Sequence, residues 1–260
     1  MRIAEGIYQL SVTAMAMGQP STVHPVLIYD EKEAVLVDTG YPGRLTDLIE
    51  GIASAGSDAQ QLRAVIITHQ DIDHIGGLPD LLAHLARPVD VLAHELEKPY
   101  IEGERRLIKI TDEVLANVDA MIPPEVPEQW RKAFKAMLEH PPSAPVDRLI
   151  KGGDRIPLCG GIIVIDTPGH TPGHISLYHE ASRTLIAGDA LVVENGELSA
   201  SDPQLASDYG QAMLSLEQLA AYPISHVVCH HGGYYTSDDV NGRIAAICAA
   251  YQAAHAKSSQ

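Results

Sequence analysis

No apolar run in these 260 residues approaches the roughly 18 needed to span a bilayer, and the start Met1-Arg2-Ile3-Ala4-Glu5 lacks the hydrophobic stretch of a secretory signal. A cytoplasmic chain with no membrane partner is therefore expected. Cysteine is scarce: Cys159, Cys229 and Cys248 are scattered and odd in number, which argues against a disulfide framework. Basic residues are few as well. Lys and Arg total 18 against 34 Asp and Glu, a formal charge of −16, so no protein-wide field draws in a phosphate backbone. With no separate basic domain and no aromatic-basic interleaving, nucleic acid is not an expected partner. A small-molecule substrate is, and an anionic one stays open if bound cations make a pocket locally positive.

What the chain does have is histidine and aspartate placed behind apolar runs. Ala64-Val65-Ile66-Ile67 reads as a buried strand and is followed by Thr68-His69-Gln70-Asp71-Ile72-Asp73-His74. Two imidazoles and two carboxylates on one short loop repel and desolvate one another unless a cation organises them. The same arrangement recurs three times. Gly161 to Asp166 is strand-like and leads into Thr167-Pro168-Gly169-His170-Thr171-Pro172-Gly173-His174. Arg183 to Gly188 ends in Asp189, and His226-Val227-Val228-Cys229 runs into His230-His231-Gly232-Gly233. In open α/β folds ligands gather outside the carboxyl ends of strands, so four such loops are expected to converge on one site.

These residues resemble the metallo-β-lactamase fold superfamily, whose signature is a His-x-His-x-Asp-His loop followed by a His, a bridging Asp and a final His. The likeness spans most of the chain from Val35-Leu36-Val37-Asp38-Thr39-Gly40 onward. It implies an α/β fold, an αββα sandwich of two mixed β-sheets flanked by helices, and two divalent metal ions. By that resemblance His69 and His170 are ligands of the first ion, Asp73, His74 and His231 of the second, and Asp189 is the bridge. Asp71 stands where most members have the second histidine; it is expected to ligate the first ion directly, with a water-mediated contact or a weakened site as the alternatives. His174 and His230, neighbours of ligands, are expected to pack or hydrogen-bond, and Asp38 to support the site or cap its turn without touching metal.

Strands and helices alternate in two halves of what is expected to be one domain, residues 1–260. The first runs from Gly6 through Asp38, a helix from about Leu45 to Ala55, the Ala64 strand and a helix from about Gly77; the second begins near Ile156 and ends with a helix from about Asp238 to Ala254. Between them, residues 94–146 are charged, then helix-like around Glu125 to Glu139. Apolar groups such as Tyr100, Leu107, Ile110 and Phe134 suit packing of these helices on the body. The alternative is a lid that shapes an acyl-binding pocket.

The ligand set implies a hydrolase: a hydroxide generated on a dinuclear centre, a polarised carbonyl, and Asp73 orienting the nucleophile and taking its proton. Lactones, esters and thioesters are the expected substrates, and a homodimer is compatible with the chain. Zinc is the family's usual ion, whereas Asp71 makes the shell harder and more anionic and favours manganese or iron. An iron oxidoreductase, thiol dioxygenase-like or diiron, is therefore the rival, and a non-catalytic metal-binding module the remaining alternative. Acyl-homoserine lactonases place a tyrosine three residues after the bridging Asp, where this chain has Val192. Enzymes like glyoxalase II hold glutathione with basic residues near the C-terminus, where residues 245–260 offer Lys257 alone.

Overall fold

The computed structural model describes residues 1–16, 18–123 and 125–258, with the side chains of Met121, Lys257 and Ser258 outside that description. The alternation along the central strands sets the architecture. In Ala34–Val37 every residue is buried, yet Ala34 and Leu36 face one core while Val35 and Val37 face another. Leu62–Ile66 repeats the pattern, with Val65 on the first side and Ala64 and Ile66 on the second. A strand apolar on both faces must be covered on both, which is why these runs read as continuous rather than alternating.

The cover differs by side. A seven-stranded sheet carries Ala34–Val37, Leu62–Ile66 and Asp90–Ala93 as parallel neighbours, and antiparallel strands before them. A six-stranded sheet holds Ile162–Asp166, Ile175–His179, Thr184–Gly188 and His226–Cys229, the last two parallel. Ile162, Val164, Leu177, Ile186 and Val228 of the second sheet pack on Val35, Ile66 and Leu92 of the first, so the sheets lie face to face. The outer face of the first buries Leu48 and Ile52 of helix Leu45–Ser54 and Leu78, Leu81 and Leu85 of helix Leu78–Leu85. On the second, Met213 and Leu216 of helix Tyr209–Gln218 and Val240 and Ile244 of helix Val240–Ser258 do the same. Helix, sheet, sheet, helix is the αββα sandwich.

One sequence expectation is adjusted. The run Gly6 to Val12 is broken: Ile7–Gln9 belongs to the large sheet, while Val12–Ala16 pairs with Gln19–Val23 as a separate hairpin. Leu10, between them, is buried in the first core. Residues 94–146 form the helices Lys98–Ile101, Asp112–Met121 and Glu128–Glu139, and Ile101, Leu107, Ile110, Val118 and Leu138 pack into the first core. Among the described residues no helix is long and apolar enough to cross a membrane.

Candidate metal centre

Parallel strands point their carboxyl ends the same way, and the donors follow from that. Leu62–Ile66 runs on to His69, and Asp71, Asp73 and His74 come from the turn that closes as the short helix Ile72–Ile75. Asp189 follows Thr184–Gly188 directly, and His231 lies two residues beyond His226–Cys229. His170 leaves Ile162–Asp166 through the Pro168-Gly169 turn. All seven residues singled out in the sequence meet at one edge of the sandwich.

They meet as two adjacent groups. One ligand atom each from His69, Asp71, His170 and Asp189 lies within 4.8 Å of the others, and the same holds for Asp73, His74 and His231. Asp189 stands between the groups. Its Oδ2 is 3.3 Å from His170 Nε2 and 3.3 Å from His231 Nε2, and its Oδ1 is 3.3 Å from His74 Nε2. Asp71, the departure from the family pattern, aims Oδ2 into the first group, 3.2 Å from both His69 Nε2 and His170 Nε2. Asp73 Oδ2 lies 3.2 Å from His231 Nε2.

Whether such a cage suits a cation is answered by the atoms left over. His69 Nε2, His74 Nε2 and Asp189 Oδ1 are buried and have no hydrogen-bond partner among the described residues, a costly state that a divalent ion would relieve. Around the cage the second atom of several donors is tied down. Asp38, in the left-handed region at φ 58°, accepts from the Thr68 backbone N–H and hydroxyl, each at 2.8 Å, and its Oδ2 is 2.8 Å from His74 Nδ1. That contact turns His74 Nε2 inward. Neither His174 nor His230 sits in the two main groups. His230 stacks on His74 with ring centroids 3.6 Å apart and donates from Nε2 to the Asp73 carbonyl at 2.9 Å.

The donors do not titrate alike. Burial, aided by the neighbouring His74, pushes His69 down to about 3, so its lone pair is free. Burial likewise pushes His230 down to about 4. For Asp71 burial works to raise the pKa, but His69, His170 and Lys109 hold it well below the usual carboxylate range. His231 goes the other way: burial lowers it, and Asp189 and Asp73 more than offset this to bring it up to about 10.

The superfamily model described as "Metallo-beta-lactamase superfamily" matches residues 18–231. The chain belongs to the metallo-beta-lactamase superfamily. Among curated relatives it is similar to the "Probable metallo-hydrolase YflN" of Bacillus subtilis, 28% identical over 241 residues, 88% of this chain and 84% of that one. It is also similar to a hydroxyacylglutathione hydrolase of Saccharophagus degradans, 27% identical over 236 residues, 84% of this chain and 67% of the other. Among solved structures, a metallo-beta-lactamase family protein from Thermus thermophilus superposes with a TM-score of 0.65 at 25% identity, covering 96% of this chain and 80% of that one. Family and site together class the chain as a metallohydrolase enzyme.

Three residues at this metallohydrolase site carried no sequence signal. Glu97 lies in a charged stretch that reads as surface, yet it is fully buried: its Oε2 accepts from Gln70 N at 3.0 Å and Gln70 Nε2 at 2.9 Å, and its Oε1 from Gly173 N at 2.7 Å. Gln70 itself looks like a spacer between ligands. Lys109 donates to Asp71 Oδ2 and lies 2.7 Å from His170 Nε2. A charged run of ordinary texture gives no hint that one member reaches a site 38 residues upstream.

Proposed function

We propose that the chain hydrolyses a lactone, ester or thioester at a dinuclear centre, with His69, Asp71 and His170 holding one divalent ion, Asp73, His74 and His231 the other, and Asp189 bridging. The observation that carries this reading is the convergence of seven donors in which three buried atoms lack a hydrogen-bond partner among the described residues. Bound ions would supply carbonyl polarisation and a water of lowered pKa. Asp73 would orient that water and accept its proton, a role supported by its Oδ2 lying 3.2 Å from His231 Nε2. Asp38 holds His74, and His174 holds the backbone of Asp189.

Similarity to a hydroxyacylglutathione hydrolase supports thioesters among the three substrate classes, since an acylglutathione is a thioester. Zinc, manganese and iron all suit the donor set, and the extra carboxylate of Asp71 weights it toward the harder two. The decisive experiment loads the chelator-stripped protein with each ion and follows hydrolysis of a panel of esters, lactones and thioesters beside oxygen uptake with thiols. Ion-dependent hydrolysis without oxygen uptake is the expected result. Oxygen consumption that requires iron and a thiol, with no hydrolysis, would replace this reading by the oxidoreductase.

A further inference from the structure

Lys109 reaches the site from the segment between the two halves, and its approach is built rather than incidental. The turn that carries it closes with Ile110 N donating to Leu107 O at 2.9 Å, and Leu107 and Ile110 are both sunk in the first core. Ile108 N donates to Gln70 Oε1 at 2.7 Å, and Gln70 is gripped in turn by the buried Glu97. Glu97 also holds Gly173, three residues beyond His170. One buried carboxylate thus ties the first ligand loop, the second ligand loop and the turn bearing Lys109 into a single unit.

At the end of that tether the ammonium donates to Asp71 Oδ2 and stands 2.7 Å from His170 Nε2. These are the two atoms through which Asp71 and His170 face the first group. An ion bound there needs the same lone pairs, and two cations sharing them repel. The pairing also depends on Asp71: a carboxylate attracts an ammonium, whereas the neutral imidazole usual at that position would not. Lysine suits the task because its charge is a point on a flexible stem, able to leave when a stronger competitor arrives.

We propose that Lys109 is a tethered cation that competes with the first ion for Asp71 and His170, so that the Asp73–His74–His231 half fills first and the other half fills only as the ammonium is displaced. The inference rests on the metal-centre reading given above. It makes Lys109 the residue that sets how many ions the protein holds at a given free-ion concentration.

The test is ion binding, independent of turnover. Chelator-stripped full-length protein is titrated with zinc and with manganese against a chromophoric chelator, and bound metal is counted by elemental analysis. The wild-type protein should bind in two steps separated by at least about tenfold in affinity, a gap of about 1.4 kcal/mol. Lys109→Met, which keeps the stem and removes the charge, should tighten the weaker step about tenfold or more and leave the tighter one unchanged. Lys109→Arg should keep the gap. The Lys109 side chain is 31% exposed and outside the hydrophobic cores, and each variant is accepted only with a circular dichroism spectrum that matches wild type. A Lys109→Met protein whose weaker step is unchanged or weakened overturns the proposal. Failure of both proteins to bind any ion would instead overturn the metal-centre reading itself.

Discussion

The backbone N–H of Asp189 donates to Nε2 of His174 at 3.0 Å, while His174 Nδ1 is held 2.8 Å from the Thr167 hydroxyl. A histidine outside the cage thereby fixes the start of the residue on which both halves converge. The approach needs a glycine: a Cβ on Gly188, at φ 54°, would come within 2.7 Å of His174 Nε2. His174→Ala should leave the Asp189 N–H unpaired, costing about 1–3 kcal/mol of stability. It should also lower ion affinity about 10- to 100-fold, as loss of residues that orient ligands commonly does. His174→Gln, which can still accept from that N–H, should recover part of both. Equal ion affinity in wild type and His174→Ala, measured by chelator competition, would show that Asp189 needs no such support.

Gly232 sets the position of His231 in the same way. Its φ is +83°, and a Cβ there would lie 1.9 Å from the Val193 carbonyl oxygen. Val193 N, in the strand Leu191–Glu194, in turn donates to the His231 carbonyl at 3.1 Å, so any shift of that strand moves His231. Gly232→Ala combines overpacking with a left-handed backbone penalty, together about 3 kcal/mol. A fall in Tm of roughly 6–12 °C is expected for a chain of this size, with loss of the ion held by the second group. Calorimetry and elemental analysis on the same sample check both; an unchanged Tm would show that the 190s strand yields freely.

The parts legible in the sequence were those governed by local pattern. Buried strands of the Val35-Leu36-Val37 and Ala64 to Ile67 kind announce themselves because both faces are covered, and the family motif points to the residues that the fold gathers at their carboxyl ends. Asp38 was legible as a supporting carboxylate for the same reason, and its carboxylate does lie behind His74. Glu97, Gln70 and Lys109 were not, since their meaning comes from contacts across 27 to 76 residues that no periodicity encodes. The break at Leu10 was hidden because a strand that turns away from its sheet keeps the same apolar alternation.

Cys159 supplies a pH test away from the metal centre. It is 6% exposed, and burial, helped by Asp30 and Glu33, pushes its thiol up to about 12 from 9.0. The folded state therefore prefers the neutral thiol. Its contribution to stability is fully present below pH 9 and is lost as pH rises towards 12. At pH 8 a thiol with that pKa is thiolate about once in ten thousand, so iodoacetamide should leave Cys159 unlabelled in the folded protein and modify it fully in denaturant. Denaturation midpoints between pH 9 and 11 should fall more steeply for wild type than for Cys159→Ala. Parallel slopes, or labelling of the native protein at pH 8, would contradict this.

Asp71 is where the chain departs from its family's pattern, and its substitutions separate the two halves of the centre. Asp71 Oδ2 lies 3.2 Å from His69 Nε2 and from His170 Nε2 and pairs with Lys109, whereas none of these contacts reaches the Asp73–His74–His231 group. Asp71→Ala should therefore keep the fold and lose one ion preferentially, with activity falling alongside because an open shell holds its ion poorly. Asp71→His should retain more of both than Ala does. It should also shift preference toward zinc, since it exchanges a hard anionic donor for a borderline-soft neutral one. The measurement is metal content after equilibration with manganese, iron and zinc, beside turnover of one ester and one thioester. An Asp71→Ala protein that holds two ions with unchanged affinity would make Asp71 a loop residue paired with Lys109 alone, and the ion preference would then have to be sought in the other donors.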